Sequence, residues 1–185
     1  MQGLIFTMKN VLIISSSLRA HSNSDALAAA FAEGAKAAGH AVETISLKGK
    51  EIRFCTACYA CQKTGRCVAP DDAPAIISKI QAADVVAFAT PIYFYEMSGQ
   101  LKTLLDRTVS IYSAPYKFRD IYLLATAAED EAATPDCAFK GLGGWVECFE
   151  QARVAGQVFA GGVYEQNTIV GHPALEAARQ MGSQV

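Results

Sequence analysis

Two stretches of the sequence carry side chains able to do chemistry together. The first, Ser15-Ser16-Ser17-Leu18-Arg19-Ala20-His21-Ser22-Asn23-Ser24, sets five hydroxyls, an amide and a guanidinium at what reads as the start of a helix. A helix start presents backbone N–H groups without acceptors and a partial positive charge, and a guanidinium adds a planar cation matched to phosphate oxygens. A phosphate monoester suits such a cradle. The loop holds no glycine, so it is neither the G-x-G-x-x-G dinucleotide fingerprint nor a P-loop, both of which need glycine for close backbone approach. That disfavours ATP and tightly held NAD. The plainer alternative is that these serines only cap the helix and solvate a turn; Arg19 tips the choice toward an anion. Asp25, in the first helical turn, would compete for the same positive end and is expected to point away.

The second stretch is Cys55-Thr-Ala-Cys58-Tyr-Ala-Cys61 followed by Cys67, a C-x2-C-x2-C-x5-C spacing. Two short gaps let three sulfurs converge in one turn, and the longer gap with Gly65 brings the fourth around, so the four can ligate one 4Fe–4S cluster. The same crowding also suits a set of free, oxidisable thiols outside the sheet, and zinc is a third option. A C-x5-R phosphatase loop is excluded, because only four residues separate Cys61 from Arg66. Cys137, Cys148 and the three histidines are isolated from partners in sequence and suggest no hydrolytic triad or mononuclear metal centre.

These residues need elements to position them. Asn10–Ser15 is a short, continuous, β-branched run, as a parallel strand buried on both faces requires. Asp25–Ala38 reads as a helix ended by Gly39, and Ala41–Leu47 alternates like an exposed edge strand. Ala73–Ala82 is helical in pattern, and Asp84–Thr90 is a second apolar strand. Ser98 caps a helix with Leu101, Leu104 and Leu105 on one face, and Ile121–Thr126 and Gln157–Gly162 are further strands. Alternating strands and helices imply a doubly wound α/β domain, with ligands at the carboxyl ends of a parallel sheet. Thr90-Pro91-Ile92-Tyr93-Phe94-Tyr95 then falls beside the serine loop, where its aromatics can line a planar ring or simply fill space.

The chain is long enough for one core and too short for separate cofactor and substrate domains. Its 16 basic and 18 acidic residues nearly cancel without a basic run, which argues against nucleic acid or an anionic membrane as partner. No apolar stretch reaches membrane-spanning length, and clustered thiols in a chain of this size fit a reducing cytoplasm. Residues 1–8 read as an N-terminal extension ahead of a domain covering 9–185.

In two motifs the sequence resembles the flavodoxin-like NAD(P)H-dependent FMN reductase family. Ser17, Arg19, Ser22, Asn23 and Ser24 match its Ser-x-Arg-x-x-Ser-Asn-(Ser/Thr) loop. Thr90–Phe94 match its strand-ending Thr-Pro-(Ile/Val)-Tyr-aromatic segment, followed by Leu101, Lys102, Asp106 and Arg107 of a Leu-Lys-x-x-x-Asp-Arg helix. Ser16 and Leu18 depart from the glycine and proline common there. The cysteine spacing resembles that of the iron-sulfur flavoprotein branch, although similar loops occur in relatives without a cluster. The resemblance implies a five-stranded flavodoxin-like sheet of order 2-1-3-4-5. It further implies FMN phosphate on the serine loop, the isoalloxazine along Pro91, Ile92, Tyr93 and Phe94 with Thr126 and Ala127 approaching it, and a homodimer or homotetramer. Lys102, Asp106 and Arg107 are read as a structural ion pair. The implied activity is ping-pong transfer from NAD(P)H through FMN to a small acceptor: a quinone, a nitro or azo compound, a metal ion or free flavin. The rival reading is an electron carrier between protein partners; near-neutral charge favours the enzyme, and a cluster would favour the carrier.

Overall fold

The computed structural model describes residues 7–185, so most of the expected N-terminal extension lies outside the described residues. Among the described residues six strands occur: β1 (Asn10–Ser15), β2 (Ala41–Ser46), β3 (Val85–Tyr93), β4 (Glu96–Met97), β5 (Asp120–Thr126) and β6 (Arg153–Ala160). Among the described residues six α-helices accompany them: α1 (Asn23–Ala37), α2 (Ala60–Thr64), α3 (Ala73–Ala82), α4 (Gly99–Arg107), α5 (Asp136–Glu147) and α6 (Pro173–Ser183). Among the described residues no helix is long and apolar enough to cross a membrane.

The parallel order is β2-β1-β3-β5-β6, which is the expected 2-1-3-4-5 path. The expectation of five strands needs one correction, because β4 pairs antiparallel with the end of β3, Ile92 opposite Met97 and Tyr93 opposite Glu96. The connecting residues Phe94 and Tyr95 both have positive φ, 51° and 67°, as a two-residue type I′ hairpin turn demands. That turn is normally signalled by Asn-Gly, so two aromatics concealed it.

Side-chain alternation explains why helices cover both faces. Val11, Ile13, Val85, Ala87, Tyr122 and Leu124 pack on Leu27, Phe31 and Ala35 of α1 and on Ala174 and Ala178 of α6. The intervening Leu12, Ile14, Val86, Phe88, Ile121 and Leu123 pack on α3, on Leu101, Leu104 and Leu105 of α4, and on Leu142 and Val146 of α5. Trp145 meets Phe88 edge-on at 5.3 Å and stacks on Phe118 at 5.8 Å, and this packing holds α5 despite Gly141, Gly143 and Gly144. On the other face α1 and α6 approach so closely that a Cβ on Gly34 would lie 1.9 Å from the Arg179 carbonyl oxygen. Caps set the site-bearing helix starts: the Ser22 hydroxyl accepts from the Asp25 N–H at 3.1 Å, and that of Ser98 from the Leu101 N–H at 3.4 Å.

Candidate functional site

At the carboxyl end of the sheet, the loops after β1, β3 and β5 enclose a cleft of about 300 Å³. Ser17, Arg19, Ser22, Asn23, Ser24, Pro91, Ile92, Tyr93, Thr126 and Ala127 line it, so the expected cofactor residues converge with one exception. Phe94 is the exception: it sits at the hairpin tip, 99% exposed, outside the lining. A positive-φ turn throws this side chain away from the sheet edge. Neighbouring Tyr95 donates its hydroxyl to a Glu129 carboxylate oxygen at 3.0 Å, and that acceptor raises the tyrosine pKa.

Three further lining residues, Ala128, Val163 and Tyr164, were not legible in sequence. Their only signal is indirect, in Gly161-Gly162, which breaks the chain after β6. Asn23 explains how they arrive. Its amide donates to the carbonyls of Val163 (3.2 Å) and Glu165 (2.8 Å), and its oxygen accepts from the Ile169 N–H (3.3 Å), so the side chain pins the 163–169 loop to the start of α1. A guest therefore meets the backbone of Asn23, whose side chain is already committed. Arg19 donates to the Tyr164 carbonyl at 2.6 Å and lies over that ring at 5.9 Å.

Buried hydroxyls lock the floor. Ser16 donates to the Ala89 carbonyl (3.2 Å), Ser98 donates to Ser16 (2.8 Å), and the Ser98 N–H donates to Thr90 Oγ1 (3.0 Å), tying the β1 loop, β3 and α4 together. Ser24 and Thr126 share a hydrogen bond at 2.7 Å across the cleft base. Asp25 accepts from the Ser15 hydroxyl and is absent from the lining, as its expected orientation requires.

A second cavity, about 500 Å³, is lined by Cys55, Cys58, Cys61 and Cys67 with Phe54, Tyr59, Val68, Val109 and Arg107. Ala57 and Tyr59 both take positive φ, so the loop coils tightly, and Gly65 at φ 68° ends α2. Cys61 is buried; burial pushes its thiol pKa up, and Cys67, Cys58 and Cys55 add to that push. Among the described residues no three Cys, His, Asp or Glu side chains are grouped to hold a metal ion. Lys102 and Asp106 form the expected exposed pair at 2.6 Å. Arg107 does not join it: at the helix end it turns inward, 1% exposed, onto Asp71 at 2.7 Å and onto the sulfur of Cys67.

Residues 9–149 match the family described as NADPH-dependent FMN reductase. The chain belongs to this family. An iron-sulfur flavoprotein of Archaeoglobus fulgidus is 39% identical over 89 residues, 48% of this chain and 44% of that protein. Another, from Methanosarcina thermophila, is 38% identical over 96 residues, covering 52% and 50%. The match thus spans about half the length of these relatives. Two solved structures share the fold: an NAD(P)H:quinone oxidoreductase from Methanothermobacter marburgensis (TM-score 0.75, 20% identity, 96% of both chains) and an azoreductase from Bacillus anthracis (TM-score 0.70, 18% identity, 96% of this chain and all of that one).

The cleft of this FMN reductase family member fits FMN on its own chemistry. Its lining offers first-turn N–H groups of α1 and a guanidinium to a phosphate, and Pro91, Ile92, Ala127 and Val163 offer apolar surface to a ring. Cys55, Cys58, Cys61 and Cys67 all line the second cavity, a thiol set whose chemistry suits an iron-sulfur cluster, although among the described residues no three of them are grouped to hold a metal ion.

Proposed function

We propose that the chain is an FMN-dependent oxidoreductase that takes electrons from NAD(P)H and delivers them to a small acceptor such as a quinone, an azo or nitro compound, a metal ion or free flavin. The observation that carries this reading is the convergence of the serine-arginine loop, the Pro91–Tyr93 segment and Thr126-Ala127 on one amphipathic cleft. When bound, FMN supplies the hydride-accepting and electron-donating chemistry, so NAD(P)H and the acceptor use the site in turn.

The chain's own groups bind and orient. Ser17, Ser22 and the first-turn N–H groups of α1 would hold the phosphate, with Arg19, whose guanidinium donates to the Tyr164 carbonyl, as the cation beside them. Pro91 and Ile92 would offer apolar surface to the flavin ring, with Thr126, fixed by Ser24, beside them. No side chain in the cleft is assigned as acid, base or nucleophile.

Denaturing protein loaded with flavin is expected to release FMN; FAD, or no binding of FMN at micromolar concentration, defeats the proposal. Arg19→Ala is expected to weaken FMN by about 1.5 kcal/mol, roughly tenfold in Kd, the low end for charged hydrogen bonds because Arg19 is exposed and already has a partner. Fluorescence titration measures it. Steady-state kinetics with NAD(P)H and a quinone should give parallel double-reciprocal lines, and intersecting lines would reject a shared site.

The four-cysteine cavity favours a second reading, in which a 4Fe–4S cluster on Cys55, Cys58, Cys61 and Cys67 receives electrons from FMN and passes them to a protein partner. The similarity of about half of the chain to iron-sulfur flavoproteins supports it. Absence of turnover with any nicotinamide, together with four irons per chain, would favour this carrier over the enzyme. A homodimer or homotetramer and a cytoplasmic setting complete the proposal.

A further inference from the structure

We propose that Arg107 is a positioning residue for the cysteine cavity, the buried cation that holds Cys67 and raises the reduction potential of a cluster bound there. The inference rests on the cluster reading. Arg107 is 1% exposed, and all five of its N–H donors are used. Nε and Nη2 point at Cys67 Sγ from 3.3 and 3.1 Å. Nη1 and Nη2 hold the two Asp71 oxygens at 2.7 and 3.1 Å, and Nη1 also reaches the Arg53 carbonyl at 2.8 Å. Asp71 is itself fixed by the N–H groups of Arg53 (2.9 Å) and Ala73 (3.0 Å). One edge of the guanidinium is thus anchored to a carboxylate, which aims the other edge at a single sulfur.

This arrangement has the form of an outer-shell carboxylate orienting a group against a metal ligand. Hydrogen bonds and positive charge at a ligand sulfur stabilise the reduced cluster, because reduction adds one electron, and with it one negative charge, beside them. The placement is also specific. Arg107 closes α4, and Ser98, which caps the start of the same helix, is bonded to Ser16 under the phosphate loop. Nine residues at about 1.5 Å each make a rod of roughly 14 Å between the two sites.

The test uses full-length protein reconstituted anaerobically with iron and sulfide, as wild type, Arg107→Lys and the charge-balanced double variant Arg107→Gln/Asp71→Asn. Iron content, thermal unfolding and the reduction potential from a dithionite titration are read on each. The double variant is expected to fold and load iron yet be reduced at least tenfold less favourably, about 59 mV lower for one electron. Arg107→Lys, which keeps the charge and loses the fork, should shift the same way by less. A loaded double variant reduced within twofold of wild type would overturn the inference while leaving the cluster reading intact. Absence of iron from the wild type would overturn both.

Discussion

Replacing Arg107 with methionine is expected to destabilise the fold by about 3–5 kcal/mol at pH 7, because it strands Asp71 as a buried charge without its partner. Asp71 is under opposing influences in the wild type. Burial pushes its pKa up, but the hydrogen bonds from Arg107, Arg53 and Ala73 outweigh burial together and leave it below the ordinary carboxylate value. A depressed folded pKa means the contribution is complete above the unfolded value, near 4, and is lost as pH falls through the folded one. In the variant the balance reverses, burial dominates, and protonating Asp71 becomes favourable to folding. The difference between the two proteins should therefore shrink on moving from pH 7 to about pH 4. Urea unfolding at both values measures this, and adding Asp71→Asn to Arg107→Met should recover much of the loss. A variant within 1 kcal/mol of wild type at pH 7 would mean the pair is effectively solvated.

Gly34→Val is the second large effect expected, about 3 kcal/mol of destabilisation. Glycine inside a helix usually costs roughly 0.5–1 kcal/mol relative to alanine, so α1 considered alone would gain from a side chain here. Packing decides otherwise. A Cβ would stand 1.9 Å from the Arg179 carbonyl oxygen and 2.8 Å from the Ser183 N–H nitrogen, both backbone atoms of α6 that no rotamer change can move. Gly182 meets α1 in the same way: a Cβ there would lie 2.1 Å from the Phe31 carbonyl oxygen. Overpacking of this kind costs about 1–3 kcal/mol where side chains can yield, and the upper end applies where only helices can. Thermal melts of Gly34→Val and Gly34→Ala check it; an alanine variant more stable than wild type would show that the helices separate freely.

The parts of this molecule that sequence made legible are those whose cause is local. Ser22 and Ser98 cap helices through bonds spanning three residues, and the apolar run at Asn10–Ser15 reports burial that any parallel central strand must have. The serine loop is legible as a helix start for the same reason, since capping is contained within a dozen residues. Long-range causes left no such mark. Tyr164 enters the cleft because Asn23 captures a loop about 140 positions away, and nothing near Tyr164 announces it. Arg107 sits one position after Asp106 in a helix where Lys102 and Asp106 do pair, yet its own partner, Asp71, lies across another loop. In α5, three glycines hide a helix that Trp145 and Leu142 hold by packing. The β4 hairpin was concealed by aromatics in a turn that usually carries asparagine and glycine.

The division of the cleft between distant segments also orders events in time. A chain made from its N-terminus presents Ser17, Arg19 and Ser22 early, but Val163 and Tyr164 follow more than 140 residues later, and α6, on which α1 is packed, later still. At about 5–20 residues per second of synthesis, that interval is roughly 7–30 s. During it the start of α1 has neither the loop that Asn23 will tie down nor the helix that covers its apolar face. The serine loop is the first part of the cleft to be made and the last to be enclosed, so the cleft takes its form only after residues 163–183 have been added.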